Sequence, residues 1–275
     1  MPLQSSDISI RELSTVDDYD ACVALQRATW GADFAERVPG AILRVSQKLG
    51  GVAAGAFAAD RTMLGFVFGM TGIRHGALVH WSDMLAVRQD ARGSGLGARL
   101  KAYQRDAVRA LGVTEMLWTA DPLVARNAHF NINHLGARPV EYVENMYGAN
   151  TGSLLHGAMP TDRFVYQWAL QEDDGQPGAP LPHDEDESPV HDAIVVDADG
   201  MPRLAAGADA GSVRIVVPDD LTAVQVHDPA LAHAWRMTVR AAITGAFARG
   251  LVVTRFTRAQ GDRPSCYLLS RNRTS

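Results

Sequence analysis

Ile8, Ile10 and Leu13 form a short alternating run that predicts a strand, and Ser14-Thr15 followed by Asp17-Asp18 marks the start of a helix. Hydroxyl side chains cap the free amides of a first turn, and early acids suit its positive end. The helix is expected to run to about Thr29, with Cys22, Leu25 and Ala28 inward. Pro39 suits a first helical turn, and Ile42, Val45 and Leu49 mark a second helix ended by Gly50-Gly51. The period then changes: Gly51 to Ala58 and Met63 to Thr71, turning at Asp60-Arg61, predict a hairpin, and Gly76 to Val87 a third strand.

Leu96, Leu100, Tyr103, Ala107 and Leu111 recur at helical spacing as far as Gly112. Glu115 to Thr119 reads as a strand, Ala125 to Leu135 as a helix closed by Gly136, and Val140 to Met146 and Arg163 to Leu170 as two more strands. The predicted order is β-α-α-β-β-β-α-β-α-β-β, a mixed sheet flanked by helices. Beyond an acidic, Pro- and Gly-rich stretch, Ala193 to Asp197 and Val213 to Val217 predict strands. Pro229 to Arg249 predicts a helix, and Leu251 to Ser270 a hairpin turning at Gln260-Gly261-Asp262. These boundaries divide the chain into residues 1–171, a linker at 172–191, and a small α+β unit at 192–275.

Between a strand and an amphipathic helix stands Arg92-Gly93-Ser94-Gly95-Leu96-Gly97-Ala98. A glycine-rich turn there exposes backbone N–H groups at a helix N-terminus, where unpaired donors and partial positive charge favour an anion such as a pyrophosphate. The same residues satisfy a relaxed dinucleotide fingerprint, but Arg88 to Arg92 separate the strand from the first glycine, and the chain opens on a helix pair and a meander rather than a β-α-β crossover. A P-loop is excluded because no Gly-Lys-Ser/Thr follows.

Composition narrows the function classes. The net charge of -5 is uneven: eight acids and no Lys or Arg fall between Glu172 and Asp192, leaving 26 basic and 23 acidic residues elsewhere. The remainder is near neutral or slightly basic, with no sign of a nucleic-acid surface. Cys22 and Cys266 are far apart and His129 and His134 lack carboxylate or thiol neighbours at ligand spacing, so buried thiols and no metal are expected. The N-terminal residues lack a basic-then-apolar leader pattern and the longest apolar stretch is interrupted, which predicts a cytoplasmic protein without membrane contact.

With Arg92, Gly95 and Gly97 at the spacing of its pyrophosphate signature, Met84-Leu85-Ala86-Val87 just before, and the predicted element order, the chain resembles the GNAT superfamily of acyl-CoA N-acyltransferases over about residues 7 to 170. Trp81 to Val87, Trp118 to Leu123, Arg126 to Asn131, Asp162-Arg163-Phe164, Val217 to Asp220 and Ala234-Trp235-Arg236 resemble a bacterial GNAT subgroup with an extra C-terminal domain. The resemblance implies a GNAT-type α+β fold and transfer of an acyl group, acetyl or larger such as succinyl, from acyl-CoA to the amine of a small molecule such as an amino acid. Acyl-CoA is then a co-substrate, held by Met84, Leu85, Val87, Arg92, Gly93, Ser94, Gly95, Leu96, Gly97 and Ala98, with a backbone amide near Leu85 facing the developing oxyanion.

Direct attack needs a base, for which Asp83 ranks first and His80 second, both on the strand approaching the acyl group. The superfamily's usual general-acid Tyr is replaced by Ile132, which leaves Tyr147, and after it Tyr142, as substitutes. Asn127 and Arg163 are the expected acceptor contacts, Arg163 because its fork matches a carboxylate. A non-catalytic acyl-CoA-binding regulatory module is the alternative, and a nucleotide-dependent oxidoreductase the third reading. The C-terminal unit is expected either to cap the acceptor pocket or to build a homodimer interface.

Overall fold

A computed structural model describes residues 8–148, 151–153, 159–170, 190–206 and 208–271. They group into two compact units, one containing residues up to 118 with 151–153 and 169–170, the other containing the rest.

The first unit carries β1 (Ser9–Glu12), α1 (Val16–Trp30), α2 (Gly40–Lys48), β2 (Val52–Phe57), β3 (Met63–Arg74), β4 (Ala77–Val87), α3 (Leu96–Arg109) and the start of β5 (Glu115–Ala120). Strands β1 to β4 form an antiparallel meander and β5 joins β4 in parallel, which makes the sheet mixed. Helix α1 begins where predicted because Thr15 and Asp18 close a capping box. The Asp18 carboxylate also takes both forks of Arg11, at 2.7 and 2.8 Å, which holds its pKa well below the usual carboxylate range.

Phe66, Phe68, Met84 and Ala86 pack with Leu13, Tyr19, Cys22, Leu25 and Leu43 in one core, where burial pushes the Cys22 thiol up to about 12. Helix α2 is present, but it buries Leu43 and Ser46; Ile42, Val45 and Leu49, the residues that marked it, are exposed. Ser46 decides this orientation by donating to the Gly69 carbonyl at 3.0 Å. Helix α3 buries Leu96, Leu100, Lys101, Gln104 and Val108.

One irregularity in β4 matters for the site. Phe68 pairs with Met84 but Gly69 pairs with Ser82, so Asp83 is an extra residue in β4. Such a bulge reverses the side-chain alternation. His80 and Ser82 bond Gln104 of α3, whereas Met84 and Ala86 lie in the core with α1 and α2.

The second unit carries α4 (Ala125–Ala128), continued by one π-type segment over His129–His134, then β6 (Arg138–Val143), β7 (Arg163–Ala169), β8 (His191–Asp192), β9 (Ile194–Val196), β10 (Pro202–Leu204), β11 (Ser212–Val216), α5 (Leu221–His227), α6 (Pro229–Ala248), β12 (Leu251–Thr257) and β13 (Cys266–Arg271). Strands β6 and β7 are antiparallel, β12-β13-β11-β8 form a four-stranded sheet, and β9 and β10 a hairpin. The order of elements through β7 is the predicted one. Strand β6 starts two residues earlier than expected and ends before Glu144, because Asn145 takes a positive φ of 48° and turns the chain.

Helix α6 is capped by Asp228 with Pro229 in its first turn, and it buries Trp235, Arg236, Val239, Ala242, Ile243 and Ala246. Phe164 meets Tyr267 edge to face and Phe256 tilts against it, with centroids 5.5 and 4.7 Å apart, and Tyr267 donates to the Pro122 carbonyl at 2.7 Å. Of the acidic stretch at 172–191, residues up to 189 lie outside the described residues, and His191 begins β8.

Candidate active site

The anion loop follows β4 through a 3₁₀ turn at Gln89–Ala91. Gly93 and Gly95 hold φ of 80° and 77°, with nothing near the place where a Cβ would stand, so glycine is required there by backbone conformation and not by crowding. Arg92 Nε bonds the Val87 carbonyl at 3.2 Å and Ser94 Oγ the Ala91 carbonyl at 2.7 Å, so both side chains brace the loop itself. Helix α3 starts at Gly95 with no side-chain cap and no acid in its first turn. Its leading amides therefore keep their donors for an incoming anion. Leu85 packs 3.7 Å from the Cβ position of Gly97, on the α3 side, whereas the Met84 side chain faces the opposite core.

Strands β4 and β5 pair at His80↔Met116 and Trp81↔Leu117, and the ladder ends there, two residues before the Asp83 bulge. A bulge at the end of a parallel ladder frees amides of the bulged strand, which are the groups an oxyanion needs.

Asp83 is exposed as a residue, yet loss of hydration around its carboxyl raises its pKa; a hydrogen bond with Trp81 opposes this and the charge of Glu36 adds to it. A carboxyl shifted upward is better matched to taking a proton near neutral pH. His80, the second choice of base, is a different case. It is fully buried, with Gln104 Nε2 3.0 Å from its Nε2 and Thr71 Oγ1 3.0 Å from its Nδ1. Because an amide NH₂ only donates, Nε2 accepts and Nδ1 carries the proton toward Thr71, which in turn donates to the Gly50 carbonyl at 2.6 Å. Burial, with the charge of Lys101, lowers the His80 pKa to about 3, so the ring stays neutral inside the core.

The remaining expected residues belong to the second unit. Tyr147 Oη lies 2.9 Å from Thr119 Oγ1, and the Arg163 guanidinium sits 5.3 Å from the Tyr147 ring. Arg163 is 5% exposed, donates to the Asp162 carbonyl at 2.8 Å and comes within 3.7 Å of the Asp121 carboxylate. It faces the interior, not a surface. Asp121 is held from α6 by both forks of Arg236, at 2.9 and 2.6 Å, and Arg240 of the same helix grips Asp162 at 2.8 and 2.6 Å. Burial pushes both carboxyls up, but these arginines outweigh it and leave the two pKa values below the usual range. Tyr142 donates to Asp162 at 2.6 Å, and burial with that bond drives its pKa far up; this makes it a structural partner rather than an acid. Asn127 is half-buried in α4 with its backbone N–H bonded to the Val124 carbonyl, and Ile132 is packed in the core.

Arg240 and the buried Lys101 were not singled out from the sequence. Trp118 to Leu123, Asp162-Arg163-Phe164 and Ala234-Trp235-Arg236 were, as resemblances only; in the structure they supply Asp121, Asp162 and the two arginines beside Asp121. Among the described residues no group of three His, Cys, Asp or Glu side chains is placed to hold a metal ion, and no helix is long and apolar enough to cross a membrane.

No family model and no curated protein matches the chain. Solved structures that resemble it include yncA, a putative acetyltransferase from Salmonella typhimurium with acetyl-CoA, at 17% identity and TM-score 0.47, covering 63% of this chain and 99% of that one. Ard1 from Thermoplasma volcanium shares 14% identity at TM-score 0.47 over 60% of this chain and 99% of its own. An acetyltransferase of the GNAT family from Streptococcus pneumoniae shares 18% at TM-score 0.47, over 59% and 99% respectively.

Proposed function

We propose that this protein is an acyl-CoA-dependent N-acyltransferase of the GNAT type acting on the amine of a small molecule such as an amino acid. The observation that carries the reading is the junction of β4 and α3. A bulged strand whose partner ladder has ended runs into a loop with two positive-φ glycines and an uncapped helix start. The loop amides are suited to the coenzyme pyrophosphate, and the freed amides near Leu85 to the carbonyl oxygen as it gains charge. Asp83 takes the proton of the attacking amine. The nitrogen then bonds the acyl carbon, the C–S bond breaks, and the thiolate leaves with its electron pair. With a thiol pKa of about 8.5, the thiolate is a tolerable leaving group near neutral pH.

Tyr147 is the proposed proton donor to sulfur, and Asn127 and Arg163 the acceptor contacts. The support for Arg163 is its position beside the Tyr147 ring. The cytoplasm is the proposed compartment, and residues 1–171, a linker at 172–191 and a small C-terminal unit at 192–275 the proposed domain plan.

Purified protein is incubated with acetyl-CoA and succinyl-CoA against D- and L-amino acids and small amines, following free thiol. Thiol release that requires one acceptor and falls at least tenfold in Asp83→Ala supports the reading. Thermal stabilisation by the thioesters without release for any acceptor overturns it in favour of a non-catalytic acyl-CoA binder.

A further inference from the structure

The chain has two lysines, Lys48 and Lys101, against twenty-four arginines. Lys48 is exposed, whereas Lys101 is 3% exposed, on the face of α3 that packs against the sheet. Its ammonium donates to Ser82 Oγ at 2.7 Å, approaches Met116 Sδ at 3.8 Å and lies 3.9 Å from the centroid of the Trp118 ring. All three partners are neutral. Ser82 belongs to β4, one residue before the bulge, and Met116 and Trp118 to β5, one at the last paired positions and the other just past them.

The titratable and charged groups around it are few. From β4 the buried His80 faces the same cluster through Gln104, and β2 has no titratable residue. The one charged residue of β3, Arg74, lies at the strand's far end, paired with Glu115 of β5 at 3.1 Å. From α3 itself the neighbour is Gln104, which receives the Ser82 hydroxyl at 2.7 Å. No carboxylate neutralises the ammonium among the described residues.

We propose that Lys101 is a charge-operated clamp across the end of the β4–β5 ladder, a positioning residue that sets the spacing of the two strands beside the amides near Leu85. While charged, Lys101 ties Ser82 of β4 to the π-face of Trp118 of β5, a cation–π contact that strengthens when water is excluded. Once it loses its proton the attraction to the ring goes, and only a neutral amine bonds Ser82. Burial lowers its pKa to about 7, so the two states exchange near neutrality. The clamp rests on the acyl-CoA reading for its consequence, but not for its existence.

Two measurements keep these apart. First, ¹³C-lysine-labelled protein without any coenzyme gives signals from two lysines only. The expected result is one signal titrating between about pH 6 and 8, lost in Lys101→Met, with the Trp118 indole and the amides of 82–85 shifting at the same midpoint. A buried lysine signal unchanged from pH 5.5 to 9, or one that titrates while Trp118 and 82–85 stay still, overturns the clamp. Second, kcat/KM for the thioester is followed against pH. The wild type is expected to lose activity as pH rises through the Lys101 midpoint; Lys101→Met lacks that falling limb and has kcat reduced about tenfold, with KM for the thioester within twofold. A folded Lys101→Met with the wild-type pH profile overturns the proposal. Should Lys101→Met not fold, Trp118→Phe serves instead and is expected to lower the lysine midpoint. If no acceptor supports turnover, the acyltransferase reading fails and the resonance titration alone decides the clamp.

Discussion

Apart from the Arg11–Asp18 pair of the first unit, the two units bury charge in opposite ways. In the first, Lys101 sits among a serine, a thioether and an indole, next to a neutral histidine, with polarity running one way from Lys101 through Ser82, Gln104, His80 and Thr71 to the Gly50 carbonyl. In the second, Arg163 and Arg236 share Asp121, and Arg240 takes Asp162, so each guanidinium has a carboxylate. A buried ion pair fails by losing one partner, because the other charge is then stranded; a buried cation without an anion can instead shed its proton. The second unit therefore has a fixed charge pattern, and the first a pattern that changes with pH. Helix α6 contributes Arg236 and Arg240, so the C-terminal residues are part of the scaffold that orders Asp121 and Asp162.

The largest effect is expected from Arg236→Met. Losing one member of a buried pair costs ~3–5 kcal/mol, and the lower end applies because Arg163 remains 3.7 Å from Asp121. The urea midpoint reports this loss. Arg236→Met combined with Asp121→Leu is expected to recover part of it, since an apolar pair replaces the ion pair while Arg163 is left buried without its carboxylate. If the double variant is no better than the single, Asp121 is not the stranded charge.

Lys101→Met should act in the reverse sense. Folded Lys101 releases its proton at about 7 against an ordinary 10.5, so between those values the unfolded chain binds more protons and wild-type stability rises with pH. The slope approaches ~1.4 kcal/mol per unit. Below pH 7 both states hold the proton and the full burial penalty is present. Lys101→Met is thus expected to match or exceed the wild type at pH 6, and to lose that advantage by pH 10. His80 adds a second window: its folded value near 3 against 6.5 means stability falls as pH drops below 6.5, a loss expected to shrink in His80→Gln. A Lys101→Met variant as damaged as Arg236→Met would erase the contrast between the units.

Asp83→Asn separates chemistry from folding. A general base contributes about 10²–10⁴ in rate, while a substitution at an exposed bulge shifts stability by no more than about 0.5 kcal/mol. A loss of kcat below threefold would remove Asp83 as the base.

Local signals were readable from the sequence, and long-range pairing was not. The capping residues at Ser14-Thr15 and Asp18, the period of α3 and the glycines after β4 identified those elements, because each depends on residues a few positions apart. Ile42, Val45 and Leu49 mark α2 but do not show which face is buried: Ser46 finds its partner in Gly69, twenty-three residues on. The π-type segment at His129–His134, the short strands β8 and β10, and helix α5 carry too weak a period to be seen. His80 appeared as a candidate base because a strand pattern gives two faces without saying which one a helix covers. Asp121 and Arg236, one hundred and fifteen residues apart, leave no local trace of each other.

The smallest effect discriminates among the glycines. Gly95 has a φ of 77° with open space for a Cβ, so Gly95→Ala is expected to cost ~1–2 kcal/mol from backbone conformation alone. Gly97 has ordinary helical φ, and an added Cβ would meet Leu85 at 3.7 Å, a normal contact. Since alanine is favoured over glycine within a helix by ~1 kcal/mol, Gly97→Ala is expected to stabilise slightly. Titration with coenzyme A then tells the two apart. Weakening by Gly95→Ala with no loss in Gly97→Ala means that loop conformation holds the pyrophosphate; a loss in both means that the coenzyme backbone approaches Gly97 too closely for any side chain.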